Sequence, residues 1–132
     1  MKLEDYFRII GKYELVDGVY NVNGDVLLII DCEKLPVKFG IVTGHFDCSF
    51  NNLNSLEGCP ISVGGDFYCY KNNLNSLEGS PRFVVGNFFC YKNNLNSLEG
   101  SPISVYGYFS CDEHLHNTKE YKKFKIIEKL RS

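Results

Sequence analysis

The sequence contains no Trp in its 132 residues. It also has no apolar run near the roughly 18 residues that span a bilayer, so no membrane-crossing helix and no membrane partner are expected. It has no marked excess of one charge. The net charge of -2 gives no pointer to nucleic acid or to an anionic surface. The first residues, MKLEDYFRIIGKYE, lack the unbroken apolar core of an export signal, because charged residues interrupt them every few positions. A cytoplasmic, reducing location is therefore expected. The length suits one domain, and 44% hydrophobic with 23% charged residues suits an ordinary folded one.

Against these absences stand two surpluses. Tyr and Phe number 19 between them, and there are six Cys. An even Cys count in a small secreted chain suggests disulfides. With no sign of secretion, the spacing of the cysteines has to explain them instead.

That spacing is a repeat. The octapeptide NNLNSLEG begins at Asn51, Asn72 and Asn93, at intervals of 21 residues. Self-similarity at such a period indicates a solenoid. The units tile residues 46 to 108 without a gap, and a fourth opens with FSCDEHL at Phe109. Leu35, Val42 and Gly44 sit 21 residues before Leu56, Val63 and Gly65, so DVLLIIDCEKLPVKFGIVTGH resembles a degenerate first coil. It has Ile30 where later coils have Asn, which predicts a different local geometry.

Phe46, Phe67, Phe88 and Phe109 precede Cys48, Cys69, Cys90 and Cys111 in the pattern F-x-C. Alternation with period two predicts a strand with one buried face. Leu53, Leu74 and Leu95, then Leu56, Leu77 and Leu98, are expected in the core. Gly58 and Pro60, with their counterparts in later coils, mark turns. Val63, Val84 and Val105 return the chain inward. Asn51, Asn72 and Asn93 are expected to use buried amides to satisfy turn backbone that a solenoid would otherwise leave unpaired. The second Asn of each pair (Asn52, Asn73, Asn94) is expected to take a left-handed conformation.

F-x-C-x-x-N-x-L resembles the leucine-rich repeat signature L-x-x-L-x-L-x-x-N-x-L, with Phe and Cys replacing two leucines. The period resembles the small bacterial subclass. The NNLxSLEGxPxxVGGxFxC wording is similar to small leucine-rich-repeat proteins encoded in tailed-phage genomes. The strong match covers residues 46 to 111. The resemblance implies a non-catalytic protein-interaction module that uses its concave sheet face. A phage origin implies an inhibitor or adaptor acting on a bacterial host protein, such as a defence protein, in the host cytoplasm.

The ends need caps. Leu3, Tyr6, Phe7 and Ile10 lie at helical spacing, which predicts an N-terminal helix over residues 2 to 13. Asn23-Gly24 reads as a hairpin turn. Asn117 or Thr118 can cap a C-terminal helix whose apolar stripe is Tyr121, Phe124, Ile127 and Leu130. From Asn117 onward six Lys and Arg face two Glu, a balance of +4, so the remainder carries -6. This basic face is read as the solvated side of a capping helix. The fold expected is an α/β solenoid: a leucine-rich-repeat parallel β-sheet with short non-helical return segments and helical caps at both ends. One domain, 1–132, divides into a helix-and-hairpin cap (1–24), a degenerate repeat (25–45), three repeats (46–66, 67–87, 88–108) and a partial repeat with capping helix (109–132).

Chemical alternatives are weak. Cysteines one coil apart would lie about 4.8 Å apart, whereas a relaxed disulfide wants Cβ atoms about 3.8 Å apart. Reduced, buried packing is expected for Cys48, Cys69, Cys90 and Cys111. Cys59 aligns with Ser80 and Ser101 and is expected near the surface. Cys111, Asp112, His114 and His116 offer zinc-type ligands, but their spacing fits no zinc motif. His45 stands alone and reads as a surface residue. The repeated Glu57, Glu78 and Glu99, and Ser55, Ser76 and Ser97, lack the differing environments or the nearby His that catalysis needs. No catalytic residue, metal or cofactor is expected.

The residues flanking each buried Phe and Cys should point outward. They are His45, Asp47, Ser49 and Phe50; Asp66, Tyr68, Tyr70 and Lys71; Asn87, Phe89, Tyr91 and Lys92; and Tyr108, Ser110 and Asp112. A contiguous aromatic patch usually marks an interface. Phe50, Tyr68, Tyr70, Lys71, Phe89, Tyr91, Lys92 and Tyr108 are therefore the expected partner-binding residues. The alternatives are single-stranded nucleic acid stacking on the Tyr and Lys columns, which the flanking Asp residues oppose, self-assembly through the patch, or aromatics that only stabilise the sheet.

Overall fold

A computed structural model describes residues 2–131; the two end residues of the expected 1–132 domain lie outside it. Each coil contributes two short strands, and stacking the coils builds two parallel ladders. One contains the F-x-C strands β4 (Phe46–Asp47), β6 (Phe67–Tyr68), β8 (Phe88–Phe89) and β10 (Phe109–Ser110). The other contains β3 (Lys38–Val42), β5 (Ser62–Val63), β7 (Phe83–Val84) and β9 (Ser104–Val105). The return segments are thus non-helical, as expected, but they form a ladder of their own. Pairing is in register at the repeat period: Phe46 faces Phe67, Phe67 faces Phe88, and Phe88 faces Phe109. Chain reversal between the ladders runs along a glycine column. The N–H of Gly44, Gly65, Gly86 and Gly107 each donates to the glycine carbonyl one coil earlier, at 2.9 Å. A Cβ at Gly86 would collide with the Gly65 carbonyl, so these backbones approach too closely for any side chain.

Identical side chains in register stack. Phe46, Phe67, Phe88 and Phe109 are fully buried and form a nearly parallel ring column with centroids 5.1 to 5.8 Å apart. Helix α1 (Lys119–Arg131) ends the column by laying Phe124 on Phe109, 4.3 Å between centroids. The Thr118 hydroxyl accepts from Tyr121 N–H at 3.2 Å, so Thr118 is the cap. Leu130 is 80% exposed and does not belong to the buried stripe expected for it. The aromatic column already closes on Phe124, so Leu130, one residue from the end of α1, faces solvent.

The N-terminal end differs from the helix expected over residues 2 to 13. Only a 3-10 turn, Leu3–Asp5, precedes a long hairpin of β1 (Phe7–Val16) and β2 (Val19–Leu28). The turn is Asp17-Gly18, both at positive φ (52° and 79°), the geometry a two-residue hairpin needs. Asn23-Gly24 lies inside β2. Leu3, Tyr6, Phe7 and Ile10 fit a helical wheel, but Phe7 and Ile9 also alternate inward, and packing decided for the strand. Phe7 packs edge-on against Phe39, which packs against Phe46. β2 crosses the expected boundary at residue 24 and feeds both ladders, pairing with β3 through Val19–Val22 and with β4 through Val26 and Leu27. Val26 faces Phe46 at an offset of 20, so the degenerate coil lacks one residue there. Ile30, accordingly, is exposed rather than in an Asn position.

Candidate functional site: an aromatic sheet face

Opposite the buried Phe and Cys positions, the F-x-C ladder presents two stacked aromatic columns. Tyr68 and Phe89 lie 5.0 Å apart with planes 10° apart, and Tyr70 and Tyr91 lie 4.8 Å apart at 15°. Edge contacts join the columns, Tyr68 to Tyr70 and Phe89 to Tyr91. Phe50 meets Tyr70 edge-on at 5.0 Å, and the Lys71 ammonium lies 5.1 Å over the Phe50 ring. Five of the expected aromatics and Lys71 therefore form one connected surface. The rings are half-buried by one another, except Phe50, which is 59% exposed. Asp47 and Ser110 terminate one column, and Ser49 and Asp112 the other. Ser49 was expected outward but is buried, its N–H and hydroxyl both donating to Asp47. Tyr108 is 65% exposed in the neighbouring turn column and joins neither stack. Lys92 is exposed, and its backbone N–H donates to the Asp112 carboxylate at 2.8 Å.

The turn after each strand explains these positions. Phe50, Lys71 and Lys92 take φ of 58°, 57° and 58°, the left-handed conformation expected instead of Asn52, Asn73 and Asn94. The chain must turn immediately after the Cys strand so that the next residue, Asn51, Asn72 or Asn93, points back inside. The Asn72 amide donates to the carbonyls of Cys48 (3.0 Å) and Cys69 (3.1 Å), and its oxygen accepts from Leu53 N–H (3.0 Å). Asn93 repeats this with Cys69, Cys90 and Leu74. Asn51 donates to Cys48 and Ser49 in its own coil.

A second ladder was missed by the sequence reading. The Asp25, His45, Asp66 and Asn87 side chains each accept from a backbone N–H one coil later, at 2.7 to 2.8 Å. His45 is exposed, as expected, and in addition contributes Nδ1 as acceptor, which requires that nitrogen to be unprotonated. The polar residue immediately before each buried Phe was the available signal. Tyr68 donates its hydroxyl to Asp66 at 2.9 Å, and burial together with that carboxylate pushes the phenol up to about 12.

Cys48, Cys69, Cys90 and Cys111 are buried and unbridged, as the column reading expected. Burial pushes the Cys69 and Cys90 thiols well up, and Cys111 to about 11. Cys59, expected near the surface, is buried at 7% exposure and its thiol is pushed up by burial and by contact with Cys48. The corresponding Ser80 hydroxyl donates to the Gly100 carbonyl, so this position faces inward along the coil. His114 and His116 turn their Nε2 atoms to the carbonyls of Leu95 (2.8 Å) and Cys111 (3.3 Å). Among the described residues, no three His, Cys, Asp or Glu converge as metal ligands. The Ser55, Ser76 and Ser97 hydroxyls accept from the N–H of Glu57, Glu78 and Glu99, which commits them to turns. No helix among the described residues is long and apolar enough to cross a membrane. Compared with family models, curated proteins and solved structures, the chain matches none.

Proposed function

We propose that the chain is a leucine-rich-repeat-type binding module whose aromatic face docks a protein partner. The observation that carries this reading is the connected surface of Phe50, Tyr68, Tyr70, Phe89 and Tyr91. Stacking holds the rings in place before a partner arrives, so little side-chain freedom is lost on docking. Aromatic anchors of this kind dominate the energy of protein interfaces. The resemblance to phage-encoded repeat proteins supports the further reading of an inhibitor or adaptor of a host protein, acting in the host cytoplasm. The same stacking argues against single-stranded nucleic acid. Base binding needs free ring faces, and Tyr68 and Phe89, like Tyr70 and Tyr91, cover each other's faces. Lys71 lies over Phe50, and Asp47, Asp66 and Asp112 surround the patch.

Affinity capture from bacterial lysate, with and without nuclease, tests this reading. A discrete protein retained after nuclease treatment is expected. Captured material that nuclease removes would contradict it.

A further inference from the structure

The two ends of the solenoid are closed unequally. At the C-terminal end, α1 satisfies the backbone of the last coil. Glu128 accepts from Phe109 N–H at 3.1 Å, and Arg131 donates to the carbonyls of Val105 (3.3 Å) and Gly107 (2.8 Å). At the N-terminal end the outermost strand is β1, which pairs with β2 alone. The Tyr6 carbonyl accepts from Ile29 N–H, so even-numbered backbone groups of this segment face β2. Those of Phe7, Ile9, Gly11, Tyr13 and Leu15 therefore point away from the sheet. This edge runs for 10 residues without a proline, and Ile10 and Leu15 on it are 56% and 57% exposed. A long edge without a proline is a template for another strand, and the Arg8, Lys12 and Glu14 charges on it restrict which strand can pair.

We propose that this edge pairs with the β1 edge of a second copy of the chain, antiparallel about a two-fold axis at Gly11. The strand is self-complementary in that register. Arg8 faces the second copy's Glu14, and the reciprocal pair forms on the other side of the axis. Ile9 faces Tyr13, Phe7 faces Leu15, and Ile10 faces the stem of Lys12. The Arg8 and Glu14 pairs fall at positions without backbone hydrogen bonds, where side chains approach most closely. Centring the pairing one residue earlier sets Arg8 against Lys12, and one residue later sets Lys12 against itself; both oppose like charges. The backbone shape agrees. Gly11 lies opposite Gly24 at φ of 134° and 149°, and a Cβ at Gly11 would collide with the Asn23 carbonyl. The close approach of β1 to β2 thus falls on the residue at the two-fold axis, with Phe7–Ile10 before it and Lys12–Val16 after it. The aromatic face takes no part, so this inference stands apart from the function proposed above.

The test is the mass of the full chain in solution, by light scattering or sedimentation over a range of concentrations. The dimer is expected at twice 15.1 kDa. Glu14→Arg, at an exposed position, should leave the melting curve in place and return the mass to 15.1 kDa. Arg8→Glu combined with Glu14→Arg should restore the doubled mass. In the unaltered chain, the amides of Ile9, Gly11 and Tyr13 should exchange more slowly as concentration rises. A monomer at every concentration, or a dimer that survives Glu14→Arg, overturns the proposal. So does a dimer lost on Tyr70→Ser with Tyr91→Ser, because self-association then runs through the aromatic face.

Discussion

The Asn72 side chain reaches across the solenoid to Cys48, 24 residues earlier, donating its amide to that carbonyl at 3.0 Å while also bonding within its own coil. The Asn51 side chain makes only local bonds, although its backbone N–H donates to the Asn72 amide oxygen at 3.2 Å. The two positions carry the same residue in the same repeat, yet they hold different amounts of structure. Asn72→Ala strands buried carbonyls in two coils and should cost about 1 to 3 kcal/mol, visible as a lower denaturant midpoint. Asn51→Ala should cost clearly less. Equal losses would contradict the inter-coil role.

The Phe column ends on Phe124, so docking of α1 rests on that ring. Phe124→Ala should destabilise the chain by about 3 to 5 kcal/mol, the usual range for a core Phe. Leu130→Ala, at an exposed position, should shift the melting temperature very little. Similar effects from the two variants would show that the helix is not held by its stack on Phe109.

Thiol reactivity should follow burial. Cys32 is the half-exposed thiol, and the other five are buried. Burial raises the pKa of Cys59, Cys69, Cys90 and Cys111 and so lowers the reactive thiolate. Mass spectrometry during alkylation of the folded chain should find Cys32 labelled first and the column labelled only on unfolding. Fast labelling of Cys69 or Cys90 contradicts the core assignment.

Tyr68 gives a pH dependence of known sign. Its folded-state pKa, about 12, lies above the ordinary value of 10.0. The folded state therefore holds the phenolic proton more tightly. The resulting stability is complete below about pH 10 and is lost as pH rises through about 12. Tyr68→Phe should flatten the alkaline fall in stability across that window. An unchanged fall assigns it to other groups.

Repetition makes most of the molecule legible in the sequence. Three near-identical units fix which residues stack, so the Phe, Cys, Leu and Asn columns follow from sequence alone. The N-terminal cap does not repeat, and its Leu3, Tyr6, Phe7 and Ile10 satisfy a helical period while Phe7 and Ile9 satisfy a strand period. Only the contact of Phe7 with Phe39 distinguishes them. The left-handed residues lie two positions before the expected Asn52, Asn73 and Asn94, because Asn is the usual occupant and Phe50, Lys71 and Lys92 are not. Cys59 was misjudged because its Ser counterparts suggested water, whereas Ser80 bonds to backbone of the next coil. The aromatic residues of the face were readable as outward positions, but their mutual stacking depends on ring orientations that sequence does not carry.

The most direct test of the account separates folding from binding on the aromatic face. Tyr70→Ser with Tyr91→Ser removes one stacked column and leaves the buried columns whole. The melting curve should shift by no more than the loss of that stack, about 0.5 to 1.5 kcal/mol. Binding of the captured partner should fall by about 2 kcal/mol or more. Ser55→Ala, in a turn away from the face, should leave binding unchanged. Normal partner affinity in a folded double Tyr variant would contradict the assignment of the binding surface to this face.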